Sequence, residues 1–468
     1  MLKLGNFNNK QYICPKSLPM KRLILLAILG LGVISCSTQS NTKKMDLPTE
    51  WKHTTNIYEV NVRQYTKEGT FRAFEKEMPR LKEMGVKTLW FMPITPISQE
   101  VKKGTMGSQY AAHDYTAINP EFGTMEDFKH LVDEAHKMGF KVIIDWVANH
   151  TGWDHVWTKS HPEYYLHDAD GKFHIASGMD DIIELDYSNP DMRNAMIDAM
   201  KFWVKETNID GFRCDLASWV EVDFWEQARP EVEKIKPLFF LGEFDELDNP
   251  EYGKVFDASY VWTWMHKTQE YNEGKISFAD LKSLLTKYSN IGGSSMRAWF
   301  TSNHDENTWN GTEYEKYGDL AMPLAVFSVT WNGVPLIYNG QELPLKTKRL
   351  EFFEKDPIPW NGKYELADFY KTLLNLKTSN SALRGGDAAA STHLLKTSAD
   401  DKVMAYVRKN GKDEVLTVLN FSKENVSFNI DDVNVSGTFK NVFSGPVKDF
   451  SKDKTFYLPV GGYAVMEK

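Results

Sequence analysis

One unit, repeated four times, constrains this chain more than anything else in it. A helical pattern closes on glycine, asparagine or proline, and a short apolar run follows. Leu81-Lys-Glu-Met-Gly85 leads into Val86-Lys-Thr-Leu-Trp-Phe-Met92, and Ala135-His-Lys-Met-Gly139 into Phe140-Lys-Val-Ile-Ile-Asp145. Trp203-Val-Lys-Glu-Thr-Asn208 leads into Ile209 to Asp215, and Val232-Glu-Lys-Ile-Lys-Pro237 into Leu238-Phe-Phe-Leu-Gly242. Basic residues followed by Gly, Asn or Pro are the punctuation of a helix C-terminus. Runs that are apolar at nearly every position fit strands buried on both faces, as in a parallel sheet. Alternating helix and strand then implies right-handed crossovers.

Further strands fit Asn56 to Val62, Met296 to Thr301 and Val334 to Tyr338, with a weaker candidate at Val255 to Tyr260. Eight strands between Trp51 and Leu383 predict a (β/α)8 TIM barrel over residues 51–148 and 191–384. The rival, a doubly wound open sheet, lacks a glycine-rich phosphate loop after its first strand. Residues 149–190 are polar and aromatic with little periodicity, and read as a loop domain inserted after the third strand. From residue 385 the texture changes to short strands separated by Gly, Asn, Asp and Ser, such as Val403 to Arg408, Glu414 to Asn420 and Thr455 to Leu458. Residues 385–468 are therefore expected to form a C-terminal all-β sandwich.

The chemistry gathers where the strands end. The third runs out in Asp145-Trp-Val-Ala-Asn149-His150, the fourth in Arg213-Cys-Asp215, the fifth in Gly242-Glu243, the seventh in Phe300-Thr-Ser-Asn303-His304-Asp305. In a barrel these ends converge on one pocket, which would hold several carboxylates, an arginine and two histidines. Cys214 alternates away from Asp215 along the strand and reads as a small buried hydrophobe. The net charge of −9 disfavours nucleic acid as a main partner, since phosphate binding needs clustered Lys and Arg. Aromatic residues at 13%, with 14 Trp and 20 Tyr, suit stacking on the apolar faces of sugar rings.

This constellation resembles the α-amylase family of glycoside hydrolases, from about Trp51 to the end of the chain. The motifs that carry it are Asp145-Trp-Val-Ala-Asn-His150, Gly211-Phe-Arg-Cys-Asp-Leu-Ala217, Leu241-Gly-Glu243, Phe300-Thr-Ser-Asn-His-Asp305 and Gly333-Val-Pro-Leu-Ile-Tyr-Asn-Gly-Gln-Glu342. The resemblance implies Asp215 as nucleophile, Glu243 as general acid/base and Asp305 as the carboxylate that stabilises the distorted sugar. It gives His150 and His304 as donors to sugar hydroxyls, Tyr110 as the platform beneath the ring, and Arg213 as the partner of the ionised nucleophile. Such chemistry sets nucleophile and acid about 5–5.5 Å apart with pKa values pushed in different directions. Phe244, next to Glu243, is a candidate to desolvate the acid. Trp153, Trp219, Trp262, Trp264 and Trp309 are candidate stacking residues.

The implied activity is hydrolysis, with retention, of α-1,4-glucosidic bonds in starch-like glucans and maltooligosaccharides. A transglycosylase using the same covalent intermediate is the alternative, and an inactive glucan-binding scaffold is disfavoured because all three carboxylates are present. No cofactor is needed for the chemistry. A structural calcium is implied at Asn149 alone, since Ser218-Trp219 stands where many family members carry Lys-His. Gly107 stands where exo-acting α-glucosidases tend to carry an aspartate, three residues before the platform tyrosine, so an open cleft and endo action are expected.

The N-terminus reads as a processing segment. Lys21-Arg22 precedes the apolar run Leu23 to Ile34, which is short for a bilayer span, and the segment is complete from Met20. Val33-Ile34-Ser35-Cys36 resembles the lipobox of bacterial lipoproteins, which makes Cys36 the lipidated residue of a signal at 1–36. Residues 37–50 would tether the enzyme to a cell-envelope membrane, periplasmic or surface side. With Cys14 and Cys36 outside the mature domain, Cys214 has no disulfide partner there.

Overall fold

The computed structural model describes residues 50–468 apart from 292–294 and 446. The signal segment and Cys36 lie outside the described residues, as does the tether up to residue 49. Among the described residues, no helix is long and apolar enough to cross a membrane.

Eight parallel strands close into a barrel: β1 (Ile57–Val60), β2 (Thr88–Phe91), β3 (Lys141–Trp146), β4 (Gly211–Cys214), β5 (Phe239–Asp245), β6 (Ala258–Tyr260), β7 (Met296–Trp299) and β8 (Val334–Tyr338). β1 completes the closure by pairing with both β2 and β8. The weak sixth strand is real but only three residues long, because Val255 and Phe256 still belong to the turn that follows the short helix Pro250–Lys254. The predicted punctuation is visible as backbone geometry. Gly85 closes the helix Met78–Met84 at φ +96°, donating its N–H to the Leu81 and Lys82 carbonyls, and Asn208 closes Pro190–Thr207 at φ +56°. Gly211 opens β4 for another reason: a Cβ there would sit 1.9 Å from the Phe239 carbonyl oxygen. Any side chain would force β4 away from β5, and with it Arg213 away from Glu243.

Between β3 and the helix Pro190–Thr207, the segment read as aperiodic holds a small sheet. His150–Gly152 pairs antiparallel with Ile182–Glu184. Strands of three residues are too short to display an alternation in sequence.

The C-terminal strands are β9 (Ser391–Leu394), β10 (Val403–Asn410), β11 (Asp413–Asn420), β12 (Val426–Asn429), β13 (Thr438–Asn441), β14 (Val447–Asp449), β15 (Thr455–Leu458) and β16 (Tyr463–Glu467). Six form one sheet in the order β9-β10-β11-β16-β13-β14, and β12 pairs with β15. Alternation along β10 divides its duties. Val403, Ala405 and Val407 enter the domain's own core with Phe428, Phe439 and Phe456, while Met404 and Tyr406 join the barrel's core. Tyr406 packs edge-on against Trp331 at 4.8 Å and shares a 2.6 Å hydrogen bond with Thr330 Oγ1. The helix Ala321–Thr330 is thus buried at every position but Met322, which fits its largely apolar sequence.

Candidate active site

The site lies at the C-terminal ends of the barrel strands. Along β4 the side chains of Phe212 and Cys214 enter the core around the barrel, while Arg213 and then Asp215 turn into the mouth. Burial raises the Cys214 thiol pKa well above its ordinary value, so this free cysteine is core, not nucleophile. Asp145 from β3 and Glu243 from β5 point into the same mouth.

Arg213 organises them. It is fully buried, and its Nη1 lies 3.0 Å from Asp145 Oδ1 and 2.9 Å from Asp215 Oδ1, while Nη2 lies 2.9 Å from Glu243 Oε2. Its Nε donates to the Tyr260 hydroxyl at 3.3 Å, and the guanidinium carbon stands 5.0 Å from the Trp90 ring centre and 5.5 Å from that of Tyr260. One planar cation with five donors is the group suited to such a fork. A single positive charge cannot neutralise three buried carboxylates, so protons are held more tightly. Burial pushes Asp145 and Asp215 up to about 6, against the pull of Arg213. Burial pushes Glu243 higher still, to about 7, with Asp215 and Asp305 adding to the shift and Arg213 opposing it. The fourth and fifth strand ends are also joined through the backbone: the Leu216 N–H donates to Glu243 Oε2 at 2.8 Å, with Leu216 itself at φ +42°. That φ is strained for a branched residue and marks a site where function sets geometry.

The remaining residues close around this fork. Tyr110 donates its hydroxyl to Asp145 Oδ2 at 3.1 Å and meets His304 Nε2 at 2.8 Å. His304 is buried, and its Nε2 is 3.3 Å from Asp305 Oδ2. The Asp305 side chain is 35% exposed, against 9% for Asp215 and Glu243, so it is the acid that meets solvent. His150 packs beside the Tyr110 backbone, and burial drives its pKa down to about 3, leaving a neutral imidazole whose Nε2 has no protein partner among the described residues. Tyr110, Asp215, Arg213, Glu243, His304 and Asp305 thus form one contact network, with His150 at its edge.

Several expectations need correction. Phe244 packs away from the acid, because strand alternation sends its ring against Tyr252 at 5.4 Å and Phe256 at 5.3 Å, and it reaches Glu243 only as part of the lining of one hollow. Trp264 is core: it is buried and stacks on Phe327 at 4.8 Å. Trp153 is half-buried in the inserted segment, donating to the Asp180 carbonyl. Trp219 and Trp309 are about half exposed, at 45% and 51%. Trp219 and Trp262 line a hollow of about 180 Å³ together with Glu243, and Trp309 packs on Phe352, which stacks on Tyr110 at 6.0 Å. The sequence reading passed over Phe352, Tyr260, Trp90 and Glu59, although a lone acid inside the apolar β1 was a visible sign of the last.

The likeness to known proteins is extensive. The model of the alpha amylase catalytic domain matches residues 39–169 and 161–426, well over half of the chain. The chain belongs to the α-amylase family. It is a glycoside hydrolase of the α-amylase type. A model of the maltogenic amylase C-terminal domain matches residues 393–464. The crystal structure of a noncanonic maltogenic alpha-amylase from Thermotoga neapolitana superposes with a TM-score of 0.77 at 31% identity, covering 89% of this chain and 96% of that one. An alpha-amylase from Lactobacillus plantarum gives a TM-score of 0.79 at 27% identity over 89% of this chain and 99% of the other. Among curated sequences, the maltogenic alpha-amylase of Bacillus acidopullulyticus is 26% identical over 83% of this chain and 68% of its own length.

The calcium implied for this α-amylase-family chain does not fit its residues. The Asn149 side-chain nitrogen faces His150 Nδ1 at 3.3 Å, and its backbone oxygen accepts from Leu185 N–H at 3.1 Å. No group of three or more His, Cys, Asp or Glu that could hold a metal occurs among the described residues. A hard cation takes six to eight oxygen ligands, carboxylates prominent among them, and among the described residues no carboxylate cluster stands at Asn149 to supply them.

Proposed function

We propose that this enzyme hydrolyses α-1,4-glucosidic bonds within starch-like glucans and maltooligosaccharides with retention of configuration, on Asp215, Glu243 and Asp305. The observation that carries the reading is the fork of Arg213, which takes Asp215 on one terminal nitrogen and Glu243 on the other. Two carboxylates on one guanidinium are close enough to flank a single glycosidic bond. Asp215 Oδ attacks the anomeric carbon as Glu243 protonates the departing oxygen. Water then enters with Glu243 as base, regenerating Asp215. Asp305, Tyr110, His150 and His304 grip the sugar under attack. Asp305 and His304 hold hydroxyls by charge-assisted hydrogen bonds, and Tyr110 supplies a ring face.

The roles of the two acids set the pH dependence. Asp215 must be ionised and Glu243 protonated, and burial places them at about 6 and about 7. Hydrolysis should peak between these values, falling below pH 6 as Asp215 is protonated and above pH 7 as Glu243 loses its proton. Both limbs belong to the pair, so the profile of kcat/KM is the measurement that checks it.

The endo reading is supported by Gly107. Its φ of +78° disfavours a side chain, and an added Cβ would lie 2.8 Å from Lys102 Cγ and 2.9 Å from Ile97 Cγ2. No carboxylate stands there to grip a chain end. Digestion of maltoheptaose should therefore release several maltooligosaccharides at early times. Release of glucose alone would overturn endo action, and products longer than heptaose would favour the transglycosylase. One observation speaks for that second reading: Trp219 and Trp262 line a hollow beside Glu243 that offers an accepting sugar an aromatic surface.

Export and anchoring through Cys36 complete the proposal. Globomycin-sensitive processing and labelling of the expressed protein with a palmitate analogue would test it, with loss of the label in Cys36→Ala.

A further inference from the structure

Glu59 is fully buried in β1, and its Oε1 stands 2.5 Å from Nδ1 of His304. Its Oε2 has no hydrogen-bond partner among the described residues, and Oε1 also accepts from the His304 backbone N–H at 3.4 Å, so the carboxylate is committed to this one residue. On the other side of the imidazole, Nε2 meets the Tyr110 hydroxyl at 2.8 Å and Asp305 Oδ2 at 3.3 Å. The single proton of Tyr110 goes to Asp145 Oδ2. The Tyr110 oxygen must then accept from His304, so Nε2 carries a proton. Nδ1 faces a carboxylate and carries one as well. Only an imidazolium donates from both nitrogens.

We propose that Glu59 is a positioning residue that keeps His304 doubly protonated, so that its Nε2–H is held on the Tyr110 hydroxyl and its positive charge beside Asp305, facing the bound sugar. The proposal rests on the reading of His304 as a sugar-binding donor. The charged and titratable groups around the ring are Glu59 from β1, Tyr110 from the loop after β2, Asp145 from β3 behind Tyr110, Arg213 from β4 and Asp305 beside it in sequence. Trp90 and Phe352 supply apolar walls, with ring centres 6.1 and 6.2 Å away. Burial and Arg213 act to discharge the ring, but the carboxylates of Asp305 and Glu59 outweigh them and carry its pKa to about 9. Removing the Glu59 charge must lower that value, because a neighbouring anion favours the cation.

Glu59→Gln keeps an oxygen for Nδ1–H and deletes the charge. In nitrogen-15 spectra of the ligand-free protein, His304 should be doubly protonated at pH 7.5, its signals assigned by their loss in His304→Asn. Its titration midpoint should fall by at least about one unit in Glu59→Gln, which is a tenfold change in proton affinity. Relative to the parent enzyme, kcat/KM on maltoheptaose should drop at least about fivefold at pH 9 and less than about threefold at pH 6, where both proteins hold the imidazolium. A merely structural loss would lower activity equally at both pH values. A singly protonated His304 in the parent protein at pH 7.5 overturns the proposal even if Glu59→Gln does not fold, and so does an unchanged midpoint in the variant. The spectra are taken without substrate, so they stand apart from the assignment of the reaction, which fails separately if Asp215→Asn remains active.

Discussion

Asp215→Asn is expected to lower kcat on soluble starch by about 10⁴-fold or more while leaving the protein folded. The loss is large because in the proposed mechanism Asp215 forms the glycosyl bond, and removing a nucleophile alone costs on that scale. The fold should tolerate the change for a local reason. The asparagine oxygen can still accept from Arg213 Nη1, which donates to Asp215 Oδ1 at 2.9 Å in the parent protein. One charge is removed from a cluster that holds more negative charge than its single arginine can balance. Glu243 should then ionise more readily, since Asp215 is one of the groups that raises its pKa. Parallel assays and thermal melts decide the matter. Substantial residual hydrolysis with an intact melt would remove Asp215 from the role of nucleophile.

Arg213→Met should be damaging in a different way. The methionine fills some of the space but leaves Asp145, Asp215 and Glu243 buried without their cation. Stranding buried ionic partners costs about 3–5 kcal/mol, which urea denaturation would report as a lower midpoint. The sign of its pH dependence follows from the acids. Their folded pKa values already lie above the ordinary carboxylate range, and loss of Arg213 raises them further. Carboxyls of that kind favour the folded state at low pH and cease to do so as pH rises through the folded pKa. The deficit of Arg213→Met should therefore be larger at pH 8 than at pH 5. A variant equally stable at both values would show that the guanidinium does not balance these charges.

What was legible in the sequence followed from period and punctuation. Gly85 and Asn208 announced helix ends that turn out to be left-handed caps, and the apolar runs after them became barrel strands. Asp215 and Glu243 could be read because each interrupts such a run at the end where a barrel collects its chemistry. Glu59 was missed because its partner, His304, lies 245 residues away, and nothing local to β1 says which side chain the acid meets. Phe244 was misread for the opposite reason. Adjacency in sequence to Glu243 placed it on the other face of the strand. Trp264 and Trp219 are alike in composition, and only tertiary packing separates the one stacked on Phe327 from the one beside the acid. β9, β13 and β14 escaped because their side chains are exposed or half-buried, Phe439 alone excepted, and so leave no apolar alternation to see.

Gly107 bears on how this enzyme could change its habits. A grip on chain ends would call for an acidic side chain at that position. The backbone there has φ +78°, and its carbonyl is engaged by Arg63 Nη1 at 3.1 Å. Lys102 and Ile97 already occupy the room a Cβ would take. A single codon change cannot supply the acid without unsettling the loop that carries Tyr110. On the proposed endo action, a shift toward clipping terminal sugars through this position would first require the path from Ile97 to Tyr110 to be rebuilt.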